Sequence, residues 1–205
     1  MKNKFSIIGY SGHSFVILDS AMKLKYKCSG YYDRNVKEIN PFDIDYLGLE
    51  DNIVLEERVF ISIGDNIIRG NIYNKLSANN VITFINIFDP TASISSRAFI
   101  KPNSSTSIGV NATVNSLAQI DTGVIINTGA IIEHEVKIGR FSHIGPNATV
   151  CGDSTIGENV FIGANAVIKQ GVKIGDNAIV GAGSVVLNNI PESATYVGNP
   201  AVKIK

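Results

Sequence analysis

An aliphatic residue recurs at every sixth position from Ile108 to Val186, fourteen consecutive times without a miss. Four residues after each hit, from Ala112 to Ser184, stands only Ala, Val or Ser, and the residue immediately after a hit is often Gly. Repetition at a fixed short period is the signature of a solenoid. Each six-residue unit supplies one short strand and one corner, and three units close a triangular coil. Side chains alternate along a strand, so the small residue and the Ile or Val two positions later both point inward. A narrow interior accounts for the small residue. Fully burying one aliphatic side chain contributes about 1.5–3 kcal/mol, so stacked files of them make a core without aromatics; the tract contains only Phe141 and Phe161. Ile94 and Ile100 read as an imperfect first turn, set out of phase by a two-residue insertion.

The preceding half obeys other packing rules, for 12 of the 16 aromatics precede Pro90. "KFSIIG" reads as a strand leading through "YSGHS" into a helix at "FVILDSAMKL", and "KCSGYYD" as a second strand. "RVFISIG", "DNIIRGNIYNKLSANN" and "VITFINIF" continue as strand, amphipathic helix and final strand. Strands alternating with helices favour a parallel, Rossmann-like sheet, although Gly9-x-Ser11-Gly12 supplies only part of the dinucleotide fingerprint. The expected organisation is an α/β Rossmann-like domain over 1–88, an all-β parallel β-helix of hexapeptide repeats over 89–190 and a tail over 191–205.

Charge and cysteine usage remove several functions. Lys+Arg and Asp+Glu are equal at 18, and no basic stripe interleaved with aromatics suggests a nucleic-acid surface. Cys28 and Cys151 fit neither a disulfide framework nor a zinc spacing. The first apolar run is broken by Gly9, Ser11 and Gly12 before a signal-peptide core develops, and no long apolar span follows, so a soluble cytoplasmic protein that engages no membrane is expected.

The phase of the repeat isolates one motif, "IIEHEV". Ile132 points inward and the next strand resumes at Val136, so His134 and Glu135 fall on a corner, where coil packing requires no imidazole. A corner histidine is either a solvated surface group or a base, and an imidazole with an ordinary pKa of about 6.5 accepts protons near neutrality. A carboxylate beside it fixes the tautomer and stabilises the cation that forms. His143, preceding Ile144, points outward from a strand, which by itself reads as a surface histidine. In "GYSGHS", Ser11, Gly12 and His13 occupy a strand-to-helix turn, where exposed amides favour an anion.

The repeat resembles the left-handed parallel β-helix acyltransferases, usually trimers that use acetyl-coenzyme A, and "YVGNPAVKI" resembles their common ending. The Rossmann-like front, the "SGH" after its first strand and "NTGAIIEHEVKIGRFSHIGP" together resemble the narrower NeuD/PglD-type sugar acetyltransferases, over nearly the whole chain. That resemblance implies transfer of acetyl to an amino group of a nucleotide-linked sugar, a UDP-4-amino-4,6-dideoxy sugar of bacterial glycan synthesis. It makes His134 the general base and Glu135 the group that raises its basicity. It sets His143 against the thioester region of acetyl-coenzyme A as a hydrogen-bond donor to the carbonyl, with the backbone around Ala164 and Ala182 on the pantetheine arm. Ser11, Gly12, His13, Asp33, Arg34 and Asp65 match positions that hold the nucleotide-sugar. No metal and no acyl-enzyme are implied. O-acetylation of a sialic-type sugar and a non-catalytic binding solenoid are the alternatives; a γ-type carbonic anhydrase needs three zinc-binding histidines, and only two lie in the repeat.

Repeat geometry adds an expectation about assembly. His134 lies on the corner opposite the face that bears His143, and a packed interior separates them by a face width of roughly 13 Å. One thioester meets both only where the corner of one chain meets the face of another, as in a closed homotrimer with active sites between subunits.

Overall fold

The computed structural model describes residues 3–53, 58–78, 82–191 and 193–205. Its first half is a five-stranded parallel sheet of β1 (Lys4–Ile8), β2 (Lys27–Tyr32), β3 (Tyr46–Gly48), β4 (Arg58–Ile61) and β5 (Thr83–Phe84), in the order β3-β2-β1-β4-β5. Helix α1 (Gly12–Lys23) follows β1 and α2 (Asn66–Ser77) follows β4. This is the expected Rossmann-like unit with one addition, the short strand β3, which lacks an apolar run of its own and is recruited by Tyr31 N–H donating to the Asp45 carbonyl at 2.8 Å. Residues 79 and 80, at the end of the predicted second helix, lie outside the described residues.

"VITFINIF" is two strands rather than one. Thr83–Phe84 completes the first sheet, while Ile87–Phe88 already pairs in parallel with Ser107–Ile108 of the solenoid. Asn86 makes the transfer. Its amide donates to the Lys101 carbonyl at 2.8 Å and accepts the Ser104 and Thr106 amides at 3.1 Å each. These residues belong to the corner lengthened by the two-residue insertion, and Ser105 Oγ from the same corner accepts the buried Ile61 amide of β4 at 2.8 Å. The break in the repeat is thus where the two domains are joined.

From Ile87 the chain winds a left-handed parallel β-helix of hexapeptide repeats. Strands stack into three faces. Face I includes Ile125–Ile126, His143–Ile144, Phe161–Ile162 and Ile179–Val180; face II includes Thr113–Val114, Ile131–Ile132, Thr149–Val150 and Val167–Ile168; face III includes Gln119–Ile120, Lys137–Ile138 and Thr155–Ile156. Register is in steps of eighteen residues, as in Ile125↔His143↔Phe161. All fourteen repeat aliphatics are buried in a single core with the small residues between them. Each corner needs one left-handed residue, a conformation natural to Gly and Asn. From Asn111 to Gly183 every sixth residue has φ between +54° and +67° or is Gly171 at +72°. Asn, Asp and Gly fill all but three of these positions: Leu117, Glu135 and Phe141.

The first domain sits on face I. Arg69 of α2 is 1% exposed; its Nε donates to the Gly123 carbonyl at 2.8 Å and its Nη2 to the Phe141 carbonyl at 2.6 Å, both in the solenoid. On the other flank, buried Asp89 accepts from Ser20 Oγ at 2.7 Å and pairs with Lys23 Nζ at 2.8 Å, both on α1. Burial alone would raise the Asp89 pKa, but the bonds from Lys23, Thr91 and Ser20 outweigh it and hold the carboxyl well below the usual carboxylate range.

Candidate active site

Three clusters hold most of the residues singled out from the sequence. The first is the corner between faces II and III. His134 Nδ1 lies 3.1 Å from Glu135 Oε2, and both side chains are more than half exposed. Glu135 has φ +64°, an uncommon conformation for a long acid, and the arrangement turns its carboxylate back onto the preceding ring. Gly152, one coil further on, leaves room for that ring: a Cβ there would stand 2.5 Å from His134 Cε1 and 2.6 Å from Nε2. Sequence reasoning passed over Gly152. Its signal is available in retrospect, a glycine eighteen residues beyond a corner histidine. Cys151 lies on the same corner; burial, then the Glu133 charge, pushes its thiol up, the wrong direction for a nucleophile.

The second cluster is the junction of the domains. His143 does point outward from its strand, but the first domain covers it, leaving it 9% exposed. Its Nδ1 is 3.4 Å from the Gly64 carbonyl and its Nε2 is 3.1 Å from Asn127 Nδ2, while the Phe161 ring meets it edge-on at 5.2 Å. The His13 ring lies 6.2 Å away, and its buried Nε2 has no hydrogen-bond partner among the described residues. Burial, with the neighbouring His143 and Arg69, holds His13 down from the ordinary 6.5 to about 3. Burial and Arg69 likewise hold His143 to about 4, opposed by the bond to Gly64. Both imidazoles are therefore neutral near pH 7.

The third is a cavity of about 610 Å³ at the carboxyl ends of β1, β2 and β4, where open parallel sheets bind ligands. Ser11, Asp33, Arg34 and Asp65 line it with Lys37, Asn71 and Lys75. Asp33 Oδ2 accepts the Tyr10 amide at 3.1 Å and its Oδ1 pairs with Lys37 at 3.0 Å. Asp65 caps α2, accepting the Ile68 amide at 2.8 Å. Gly12 opens α1, and His13 turns instead to the junction. Gly64 belongs to both places, lining the cavity and accepting from His143. Ala164 and Ala182 stand apart from all three clusters, on the corner between faces I and II. Among the described residues no group of three or more His, Cys, Asp or Glu is placed to hold a metal, and no helix is long and apolar enough to cross a membrane.

This architecture matches known proteins in both halves. Residues 4–76 match the PglD N-terminal domain, and residues 153–188 match the bacterial transferase hexapeptide (six repeats). The acetyltransferase domain of PglB from Neisseria gonorrhoeae, solved with acetyl coenzyme A, superposes with a TM-score of 0.90 at 27% identity, over 98% of this chain and 99% of that one. PerB from Caulobacter crescentus, solved with CoA and GDP-perosamine, superposes with a TM-score of 0.88 at 27% identity, over 98% and 97%. WeeI from Acinetobacter baumannii shares the fold, with a TM-score of 0.88 at 22% identity over 98% and 100%. The fold and these likenesses mark an acyltransferase of the hexapeptide-repeat class. Within that class, the PglD-type front domain and the full-length likeness are those of the NeuD/PglD type, which this chain resembles throughout.

Proposed function

We propose that this chain transfers acetyl from acetyl-coenzyme A to the amino group of a nucleotide-linked amino sugar. The observation that carries the reading is the exposed His134–Glu135 pair at 3.1 Å, an imidazole with an orienting carboxylate on a corner that needs neither for packing. The front-domain cavity and the CoA- and nucleotide-sugar-bound neighbours support the choice of substrates.

In the proposed reaction the sugar amine attacks the thioester carbonyl. A C–N bond forms as His134 takes the amine proton, with Glu135 stabilising the imidazolium. The C–S bond then breaks and the imidazolium returns its proton to the departing sulfur, so the base is regenerated and no acyl-enzyme intervenes. Ser11, Gly12, His13, Asp33, Arg34 and Asp65 hold the nucleotide-sugar; His143 and the backbone at Ala164 and Ala182 hold acetyl-coenzyme A. We place the working site between subunits of a homotrimer, a reading supported by His134 and His143 lying on opposite sides of one prism. It is also supported by Leu117, 53% exposed in a left-handed conformation on the His134 corner. The finer acceptor assignment is a UDP-4-amino-4,6-dideoxy sugar.

Coenzyme A release across UDP-, GDP- and CMP-linked amino and hydroxy sugars tests the reaction and its acceptor. Turnover confined to amino sugars is expected, with the UDP form fastest. Preference for hydroxyl acceptors would overturn N-acetylation, and preference for GDP would overturn only the nucleotide.

A further inference from the structure

The first residue of the corner between faces I and II forms a file of its own: Gly109, Asn127, Gly145, Gly163 and Gly181. Four are glycine for a plain reason. A Cβ at Gly109 would come within 2.9 Å of the Thr128 nitrogen, one at Gly145 within 2.7 Å of the Ile162 carbonyl oxygen, one at Gly163 within 2.5 Å of the Ala182 nitrogen and one at Gly181 within 2.6 Å of Val197. Coil packing disfavours a side chain here, yet position 127 carries one.

That side chain is held in a single orientation. Asn127 Oδ1 accepts the Thr128 amide at 2.8 Å, so the NH2 end is the one that faces His143 Nε2 at 3.1 Å. An amide NH2 only donates, so Nε2 must present its lone pair and the ring proton sits on Nδ1, directed at the Gly64 carbonyl at 3.4 Å. Arg69 Nη1 fixes that carbonyl from the other side at 3.0 Å. Both nitrogens of His143 are thereby engaged, and neither offers a free proton. Asn127 is half-buried, and its second amide N–H has no partner among the described residues.

We propose that Asn127 is the positioning residue of the acyl site: it locks His143 in the Nδ1–H tautomer, so that His143 offers acetyl-coenzyme A no ring proton and the remaining Asn127 N–H is the donor there. The tautomer stands on the hydrogen bonds alone; the assignment to acetyl-coenzyme A rests on the function proposed above. It removes the donor role that the resemblance suggested for His143. The same corner carries Ala164 and Ala182 further along, so the Asn127 donor and the backbone assigned to pantetheine lie along one edge of the prism.

The chain has only three histidines, which makes ring nitrogen NMR on 15N-histidine-labelled protein decisive, with His143→Gln identifying its signals. Wild type is expected to show His143 protonated at Nδ1 and bare at Nε2. Asn127→Asp replaces the donor with an acceptor of the same shape and is expected to move the proton to Nε2. The same variant should raise the KM for acetyl-coenzyme A about tenfold, the loss of one hydrogen bond, with the nucleotide-sugar KM within about twofold. A wild-type His143 carrying its proton on Nε2, or a tautomer indifferent to Asn127→Asp, overturns the proposal whatever the kinetics. A tautomer that moves while the acetyl-coenzyme A KM does not overturns its acyl-site half. Coenzyme A release by the wild type is scored separately, so failure of the functional reading is distinguishable from both.

Discussion

Arg69 and Phe141 are joined by a 2.6 Å hydrogen bond from the guanidinium Nη2 to the backbone carbonyl, linking the second helix of the front domain to the corner between faces III and I. Phe141 holds a left-handed φ of +57° that its side chain disfavours, and its ring packs 5.6 Å from Tyr73 of the same helix. One corner residue thus serves the junction through both its backbone and its ring.

Arg69→Met removes the guanidinium donors and leaves the buried Gly123 and Phe141 carbonyls without these bonds. Unsatisfied buried acceptors cost about 1–3 kcal/mol each, so for these two a loss of about 2–6 kcal/mol is expected. Thermal unfolding should show the front domain melting early while the solenoid keeps its own transition. A single unchanged transition would mean that the guanidinium does not hold the domains together.

The buried histidines set a pH dependence with a definite sign. In the unfolded chain His13 and His143 titrate near 6.5, whereas in the fold they are held to about 3 and about 4. Between those limits the unfolded state binds more protons, so stability falls as pH drops below about 6.5 and levels off only near pH 3–4. The thermal midpoint should therefore decline across pH 6.5 to 4, and less steeply in His13→Gln/His143→Gln, provided the double variant folds. Equal slopes for the two proteins would assign the acid sensitivity to other groups.

At the proposed base, His134→Ala is expected to lower turnover by roughly 10²–10⁴-fold with the fold intact, because an exposed corner ring supports none of the core. Glu135→Gln keeps the shape and removes the charge, so it should lie between wild type and His134→Ala. A His134→Ala enzyme with near-normal turnover under chemistry-limited conditions would eliminate this base.

Gly152 allows a test that leaves both members of the pair in place. A methyl group at that position stands 2.5 Å from the His134 ring, so Gly152→Ala must push the imidazole aside. A misplacement of about 1 Å costs on the order of 10²-fold in rate. Turnover should fall by about that factor with the melting temperature preserved; unchanged turnover would show that the ring position at the corner is not the working one.

The solenoid half was legible because its rule is local: Ile132 and Ile144 must point inward, which puts His134 on a corner and His143 on a face before any coordinates are known. The front sheet was legible from alternating strand and helix patterns, except for Tyr46–Gly48, which pairs without an apolar signature. What the sequence did not disclose depends on docking. His143 is outward, as its phase requires, yet buried, because Gly64, 79 residues earlier in the chain, covers it. Asp65 appeared only as a substrate contact, whereas its carboxylate also caps a helix, and the orientation of Asn127 depends on bonds that no spacing encodes.

The proposed assembly makes a prediction that neither histidine makes alone. Within one chain, His134 is on the corner between faces II and III and His143 is on face I, with the aliphatic core between them. If each working site takes His134 from one subunit and His143 from the next, a trimer of His134→Ala chains has no intact site, and neither does a trimer of His143→Ala chains. In a mixed trimer, some junctions receive both wild-type residues. Random mixing of equal amounts puts the wild-type His143 of a His134→Ala chain beside the wild-type His134 of a His143→Ala chain at about one junction in four, by the closed symmetry of the ring. Two singly inactive variants, mixed under conditions of subunit exchange, should thus recover roughly a quarter of wild-type activity. Mixing without exchange should recover none. Absence of recovery, when mass spectrometry shows that mixed trimers have formed, would place both histidines of each working site on one chain.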